Sequence, residues 1–131
     1  MKTIQLKTTG VHHVAIRTTN VARSKAFYHN MLGFPVLLET ETLCIVGVGN
    51  FALALKAPDQ TTPQSDTFSP FRVGLDHLAL AANSEQEIDR AAALLKENKV
   101  WTEGPKTDPT LNKYYVAFKD PDGIKLELYM V

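Results

Sequence analysis

Gly10-Val11-His12-His13-Val14-Ala15-Ile16 returns later in the chain as Gly74-Leu75-Asp76-His77-Leu78-Ala79-Leu80. Glycine, histidine and alanine hold matching places, and the apolar positions keep their character. A chain of 131 residues that repeats itself in this way reads as two copies of one small module. Such self-similarity comes before any other feature, because it sets the architecture. Each copy puts one histidine, His13 or His77, at the same point of its first strand.

Around the first phrase, residues 11–18 alternate apolar and polar well enough to predict a strand. Asn20 is placed to cap a helix, with Val21, Ser24, Phe27, Tyr28, Met31 and Leu32 at helical spacing and Gly33 as its stop. Three β-rich runs follow, at 35–40, Leu43–Val48 and Phe51–Lys56, with turns at Glu39-Thr40-Glu41 and Gly49-Asn50. The second copy repeats the order. Residues 73–82 predict a strand, and Ser84-Glu85-Gln86-Glu87 has the form of a capping box. Ile88, Ala91, Ala92 and Leu95 make an apolar helical stripe. Val100-Trp101, Lys113–Lys119 and 124–130 supply the last strands, with Asp120-Pro121-Asp122-Gly123 as a turn. The expected fold class is therefore α+β, two βαβββ modules. Module 1 covers about 8–57, a polar linker with three prolines covers 58–71, and module 2 covers about 72–131. Each copy is too small to bury a core alone, so one shared domain over 1–131 is expected.

Composition narrows the function. Lys+Arg and Asp+Glu both number 14, giving a formal net charge of zero, which disfavours a broad grip on nucleic acid or anionic lipid. No apolar stretch approaches a membrane span, and the N-terminus lacks the pattern of a signal peptide. The single Cys44 cannot form an internal disulfide, and a reducing cytoplasm is expected. Cys44 sits in the apolar run Leu43-Cys44-Ile45-Val46 and reads as a buried small residue, not a nucleophile.

Side chains two apart on a strand share a face. His13, Ala15 and Arg17 thus look one way in the first copy, as do His77, Ala79 and Ala81 in the second. On the last strand Lys125, Glu127 and Tyr129 share a face, opposite Leu126, Leu128 and Met130, which should meet the helix. His13, His77 and Glu127 form a candidate triad for a divalent metal; two imidazoles and one carboxylate suit Zn, Fe(II), Mn, Ni or Co and leave positions open for substrate. Each residue also has an ordinary reading, a hydrogen-bonded histidine or an exposed strand carboxylate. The matching module positions favour the ligand reading for the histidines. His12 competes with His13 but aligns with Asp76, a polar position on the other face; His29 reads as a helix-end residue. Each ligand histidine is expected to donate its second ring N–H to a carbonyl or an acid. Arg17, Arg72, Lys113 and Lys125 are candidates to pair an anionic substrate group, though each also reads as an ordinary surface charge. Phe51, Tyr114 and Tyr115 are candidate pocket walls, and small residues including Ala54 would leave a roomy site.

The βαβββ repeat, His13 followed by Val14-Ala15-Ile16, the helix ending in Phe27-Tyr28 and Leu32-Gly33-Phe34, His77, and Asp120-Pro121-Asp122-Gly123 leading to Glu127 resemble the vicinal oxygen chelate superfamily. That superfamily includes glyoxalase I, extradiol dioxygenases, methylmalonyl-CoA epimerase, fosfomycin-resistance thiol transferases and bleomycin-binding proteins. The resemblance covers nearly the whole chain. It implies a curved, U-shaped mixed sheet around a metal-binding cup, with His13, His77 and Glu127 at the ligand positions, and it implies a homodimer, which would cover exposed strand edges. Aligning Leu53-Ala54-Leu55 with Leu126-Glu127-Leu128 puts Ala54 where the glyoxalase and epimerase branches carry a fourth ligand.

The expected function is a divalent-metal-dependent enzyme of the glyoxalase or dioxygenase type, a lyase, isomerase or dioxygenase. Its metal would chelate two adjacent oxygens of a small substrate and stabilise an oxyanion or enediolate. No catalytic base is identified. The alternatives are a binding protein of the bleomycin-resistance type that sequesters a small molecule without catalysis, and a metal-free structural module.

Overall fold

A computed structural model describes residues 1–131. It resolves into two compact units, Met1–Thr62 and Pro63–Val131, whose boundary falls inside the expected linker. The first unit runs β1 (His13–Arg17), α1 (Val21–Lys25) continued by a π-helical segment (Ala26–Met31), β2 (Val36–Glu39), β3 (Leu43–Val48) and β4 (Phe51–Lys56). The second runs β5 (Leu78–Ala82), α2 (Glu85–Glu97), β6 (Thr102–Asp108), β7 (Lys113–Lys119) and β8 (Lys125–Met130). Each unit is a four-stranded mixed sheet with the same order, β1-β4-β3-β2 and β5-β8-β7-β6. In each, the first strand pairs in parallel with the last and the other neighbours are antiparallel. The fold class is α+β, as the repeat predicts.

Local chemistry accounts for the elements. Asn20 caps α1 by accepting a hydrogen bond from the Arg23 amide, and Gly33 turns the chain at φ 81°, a conformation glycine adopts without steric cost. Between them the predicted helix widens: the Leu32 amide bonds back to the Phe27 carbonyl, five residues earlier. This wide turn accompanies the burial of two consecutive aromatics, Phe27 and Tyr28, whose rings pack edge to face at 5.0 Å. In the second unit Ser84 accepts from the Glu87 amide at 3.1 Å, the first half of a capping box. The Glu87 carboxylate turns instead to Arg90, which holds it below the usual carboxylate range. Ser84→Ala should therefore cost about 1 kcal/mol of stability, read as a lower urea midpoint at unchanged m-value.

Two expected strands differ from the structure. Residues 73–77 are not part of β5, because Gly74 at φ 138° breaks the extended path before Leu78. Val100-Trp101 is not a strand; the chain leaves α2 through Lys99 in the left-handed region, and pairing begins at Thr102. The run 102–108 shows no strand pattern in the sequence because Gly104 and Pro105 break its apolar alternation, and the ladder there carries an irregularity between Thr102 and Pro105.

The cores follow the alternation. Cys44, Val46 and Val48 are buried on β3 while Leu43, Ile45 and Gly47 are half-buried. Burial raises the Cys44 thiol above its ordinary value, in keeping with an inert core residue. In the second unit Ile88 and Ala92 of α2 pack with Ala82 and Val116, joined by Tyr114, Leu128 and Met130. At the turn before β8, the buried Asp120 carboxylate accepts from the amides of Asp122 and Ile124, both at 2.9 Å, which fixes where β8 begins.

Candidate metal centre

Strand register sets the positions of the candidate ligands. Ala79 on β5 pairs with Glu127 on β8, and Glu127 pairs in turn with Ala117 on β7. A carboxylate is thus flanked on both sides across the sheet by methyl groups, which leave space above it. Its residue is nevertheless only 6% exposed. Its neighbours are cationic or able to become so: Oε1 lies 3.3 Å from His77 Nε2, and Oε2 lies 3.6 Å from Lys125 Nζ. A carboxylate withdrawn from water needs such partners, since burying an unpaired charge is costly.

The 3.3 Å separation bears on metal binding. Two donors that each sit about 2.1 Å from one ion, at tetrahedral or octahedral angles, stand about 3.0–3.4 Å apart. Nε2 and Oε1 therefore fit one cation, and a proton between them makes the same contact a long hydrogen bond. The other nitrogen of His77 is also occupied. Nδ1 lies 2.6 Å from Asp76 Oδ1, and this hydrogen bond is the main cause that lowers the Asp76 carboxyl below its ordinary value. A carboxylate–histidine–donor chain of this kind is how metal sites orient their imidazoles.

His13 opens β1 in the first unit, its Nδ1 2.8 Å from Nδ1 of His12. No group of three or more His, Cys, Asp or Glu side chains is gathered in the chain as a metal site. Of the expected triad, the structure brings His77 and Glu127 together. In the first unit Ala15 pairs with Ala54, as Ala79 pairs with Glu127 in the second, so Ala54 occupies the place equivalent to Glu127 and offers no donor.

The remaining candidates are distributed as follows. Tyr115 faces the Glu127 side and stacks on Tyr129 with ring centres 5.6 Å apart. Tyr129 donates to Asp108 at 2.8 Å, and burial together with that bond pushes its phenol up to about 12, so it remains a neutral, fixed wall at physiological pH. Tyr114, the next residue on β7, points the other way and bonds Asp89 of α2, so it belongs to the helix side and not to the pocket. Arg17 donates to the Ala57 carbonyl at 2.6 Å and lies 3.8 Å from Asp59, a structural tie at the end of β4. Phe51 is half-buried at the start of β4 and pairs with Val48. His29 lies 2.7 Å from the Phe34 carbonyl, past the helical segment.

Sequence reasoning missed Asp76 and His12 as partners. It placed them on the opposite strand face, which holds only where the backbone is extended. The available signal was the glycine two residues before each of them, Gly10 and Gly74.

The two units share one mixed-sheet topology, and the second carries an imidazole–carboxylate pair 3.3 Å apart. The sequence profile of the Glyoxalase/Bleomycin resistance protein/Dioxygenase superfamily matches residues 10–128, and the chain belongs to that superfamily. It is 37% identical over 127 residues to the uncharacterized protein YwkD of Bacillus subtilis (strain 168), covering 91% of this chain and 94% of that one. It is 30% identical over 120 residues to the metallothiol transferase FosB of Staphylococcus haemolyticus, covering 92% of this chain and 82% of that enzyme. Among solved structures, the glyoxalase family protein from Enterococcus faecalis superposes with a TM-score of 0.74 at 32% identity, covering 92% of this chain and 97% of that one. No helix of the chain is long and apolar enough to cross a membrane.

Proposed function

We propose that this protein is a divalent-metal-dependent enzyme that acts on a small substrate with two neighbouring oxygens, its ion held by His77, Glu127 and His13. One observation carries the reading: a nearly buried carboxylate, flanked by alanines, lies 3.3 Å from an imidazole nitrogen whose ring is oriented by a second carboxylate. The likeness to a metallothiol transferase supports metal use. A divalent ion, when bound, supplies Lewis-acid polarisation of substrate oxygens.

The chain's own groups do the rest. Glu127 on β8 and His77 just ahead of β5 present their donors within one unit. Lys125, 3.6 Å from Glu127, places positive charge beside an incoming anionic group. The Tyr115–Tyr129 stack forms an aromatic wall on the same face, and Ala79 and Ala117 leave room for the substrate. Ala54 stands where a carboxylate would be needed for a glyoxalase-type proton shuttle, which favours addition or group transfer over isomerisation. His13 completes the set, supplied by the same chain or by a second copy in a homodimer, and the protein acts in the cytoplasm. On this reading the two units serve as one functional domain.

The test is elemental analysis of protein purified without chelator, then reloading with Zn, Mn, Fe(II), Ni or Co. Turnover is assayed with thiol plus epoxide, methylglyoxal–glutathione hemithioacetal and catechols. Uptake of one ion per chain with metal-dependent turnover is expected. A protein that takes up no divalent ion overturns the reading. One that binds a small ligand tightly but turns over none with any metal is a sequestering protein instead.

A further inference from the structure

The same contact occurs in both units, at matching positions, between residues that a strand would keep apart. Neighbouring side chains on a strand point to opposite faces. Yet Asp76 meets His77 at 2.6 Å and His12 meets His13 at 2.8 Å, Nδ1 being the histidine atom that follows each partner's lead. The backbone explains how. His12, Asp76 and His77 precede the regular strands, which begin at His13 and Leu78, and Gly10 at φ 131° and Gly74 at φ 138° depart from extended backbone two residues before each partner, so strand alternation does not hold there. A Cβ at either glycine would meet nothing within 4 Å, so backbone conformation, not space, calls for glycine there.

Proton bookkeeping follows from the chemistry of the partners. An ionised carboxylate only accepts, so the proton shared by Asp76 and His77 belongs to His77 Nδ1. In the histidine pair one Nδ1 donates and the other accepts. The arrangement that matches the second unit has His12 Nδ1 as the acceptor and His13 Nδ1 as the donor. Both candidate ligands then keep Nδ1–H and offer Nε2. We propose that Asp76 and His12 are matched positioning residues, one per unit, that fix the following histidine with its proton on Nδ1 and its Nε2 free for a cation. The part about the cation rests on the metal reading above; the proton placement stands without it. The two partners are unequal, since Asp76 makes a charge-assisted bond and His12 a neutral one. Asp76 therefore carries the larger effect.

The test uses full-length, metal-free, 15N-labelled protein near pH 9, well above the ordinary imidazole value of about 6.5. Long-range 1H–15N correlation reads which ring nitrogen carries a proton. Nδ1 of His77 and of His13 should be protonated, whatever the state of Nε2. Asp76→Ala should turn His77 Nδ1 into the lone-pair nitrogen. Asp76→Asn, whose amide oxygen still accepts, should preserve the wild-type pattern, and His12→Ala should release His13 in the same way. In zinc titrations Asp76→Ala should weaken binding about 10–100-fold, with Asn close to wild type and His12→Ala losing less. Wild-type His77 or His13 with an unprotonated Nδ1, or no change in Asp76→Ala, overturns the proposal. Wild-type protein that shows the proton pattern but takes up no zinc upholds the positioning and sinks the metal reading.

Discussion

Replacing Glu127 with alanine should abolish divalent-ion uptake, an effect larger than the ~10–100-fold typical of losing an outer-shell partner. The carboxylate is one of two donors that stand within reach of a common ion in the second unit, and the alanines beside it supply no substitute. The variant should fold. The groups left behind, His77 and Lys125, keep about a third of their side-chain surface in water, so neither becomes a stranded buried charge. Titration calorimetry with zinc reads the loss, and far-UV circular dichroism checks the fold. His13→Ala should lose the ion in the same way. Mixing the Glu127→Ala and His13→Ala proteins under subunit exchange then tests where His13 comes from. If the third donor belongs to a second copy, each mixed dimer regains one intact site, and random pairing restores about a quarter of wild-type capacity. Full loss after demonstrated exchange would place all donors within one chain, and full retention of zinc by Glu127→Ala would remove the carboxylate from the site.

The largest stability effect should come from Ile88→Ala. Ile88 is fully buried on α2 against Ala82, Ala92 and Val116. Two of these neighbours are already alanines, too short to reach into the space left behind. Truncation removes buried methyl groups and leaves a cavity, at a cost of about 2–5 kcal/mol. Urea unfolding followed by Trp101 fluorescence and circular dichroism should show a lower midpoint. A cost under about 1 kcal/mol would mean that α2 is held mainly by its cap and its polar tie from Asp89 to Tyr114. Because Glu127 lies on the face of β8 opposite Leu128 and Met130, which pack toward α2, and His77 precedes β5, zinc affinity of the folded variant should change far less than its stability.

Several features are legible in single residues. Asn20, Ser84 and Asp120 announce their hydrogen bonds because each acts on amides two to four residues away. The register that makes Ala54 the counterpart of Glu127 follows from matching two apolar runs, and the ladders place both as expected. Other features depend on more distant atoms. The π-helical turn at 26–31 has no propensity signal of its own and goes with the burial of Phe27 and Tyr28. The strand at 102–108 is polar and broken by Gly104 and Pro105, and its partner β7 defines it. Tyr114 and Tyr115 look alike in sequence, and only the direction of β7 sends one to α2 and the other to the Glu127 face.

By itself the sequence determined the duplication, the order of elements in each half, the caps and turns, and the residue types capable of holding a cation, because these depend on periodicity and short-range hydrogen bonding. Tertiary structure alone decided that Glu127 is withdrawn from water within 3.3 Å of His77, and that Asp76 and His12 turn back onto the histidines beside them. The first requires β5 and β8, far apart in the chain, to pair in one register. The second requires irregular backbone ahead of each first strand, where Gly10 and Gly74 take positive φ and the alternation of a strand does not apply.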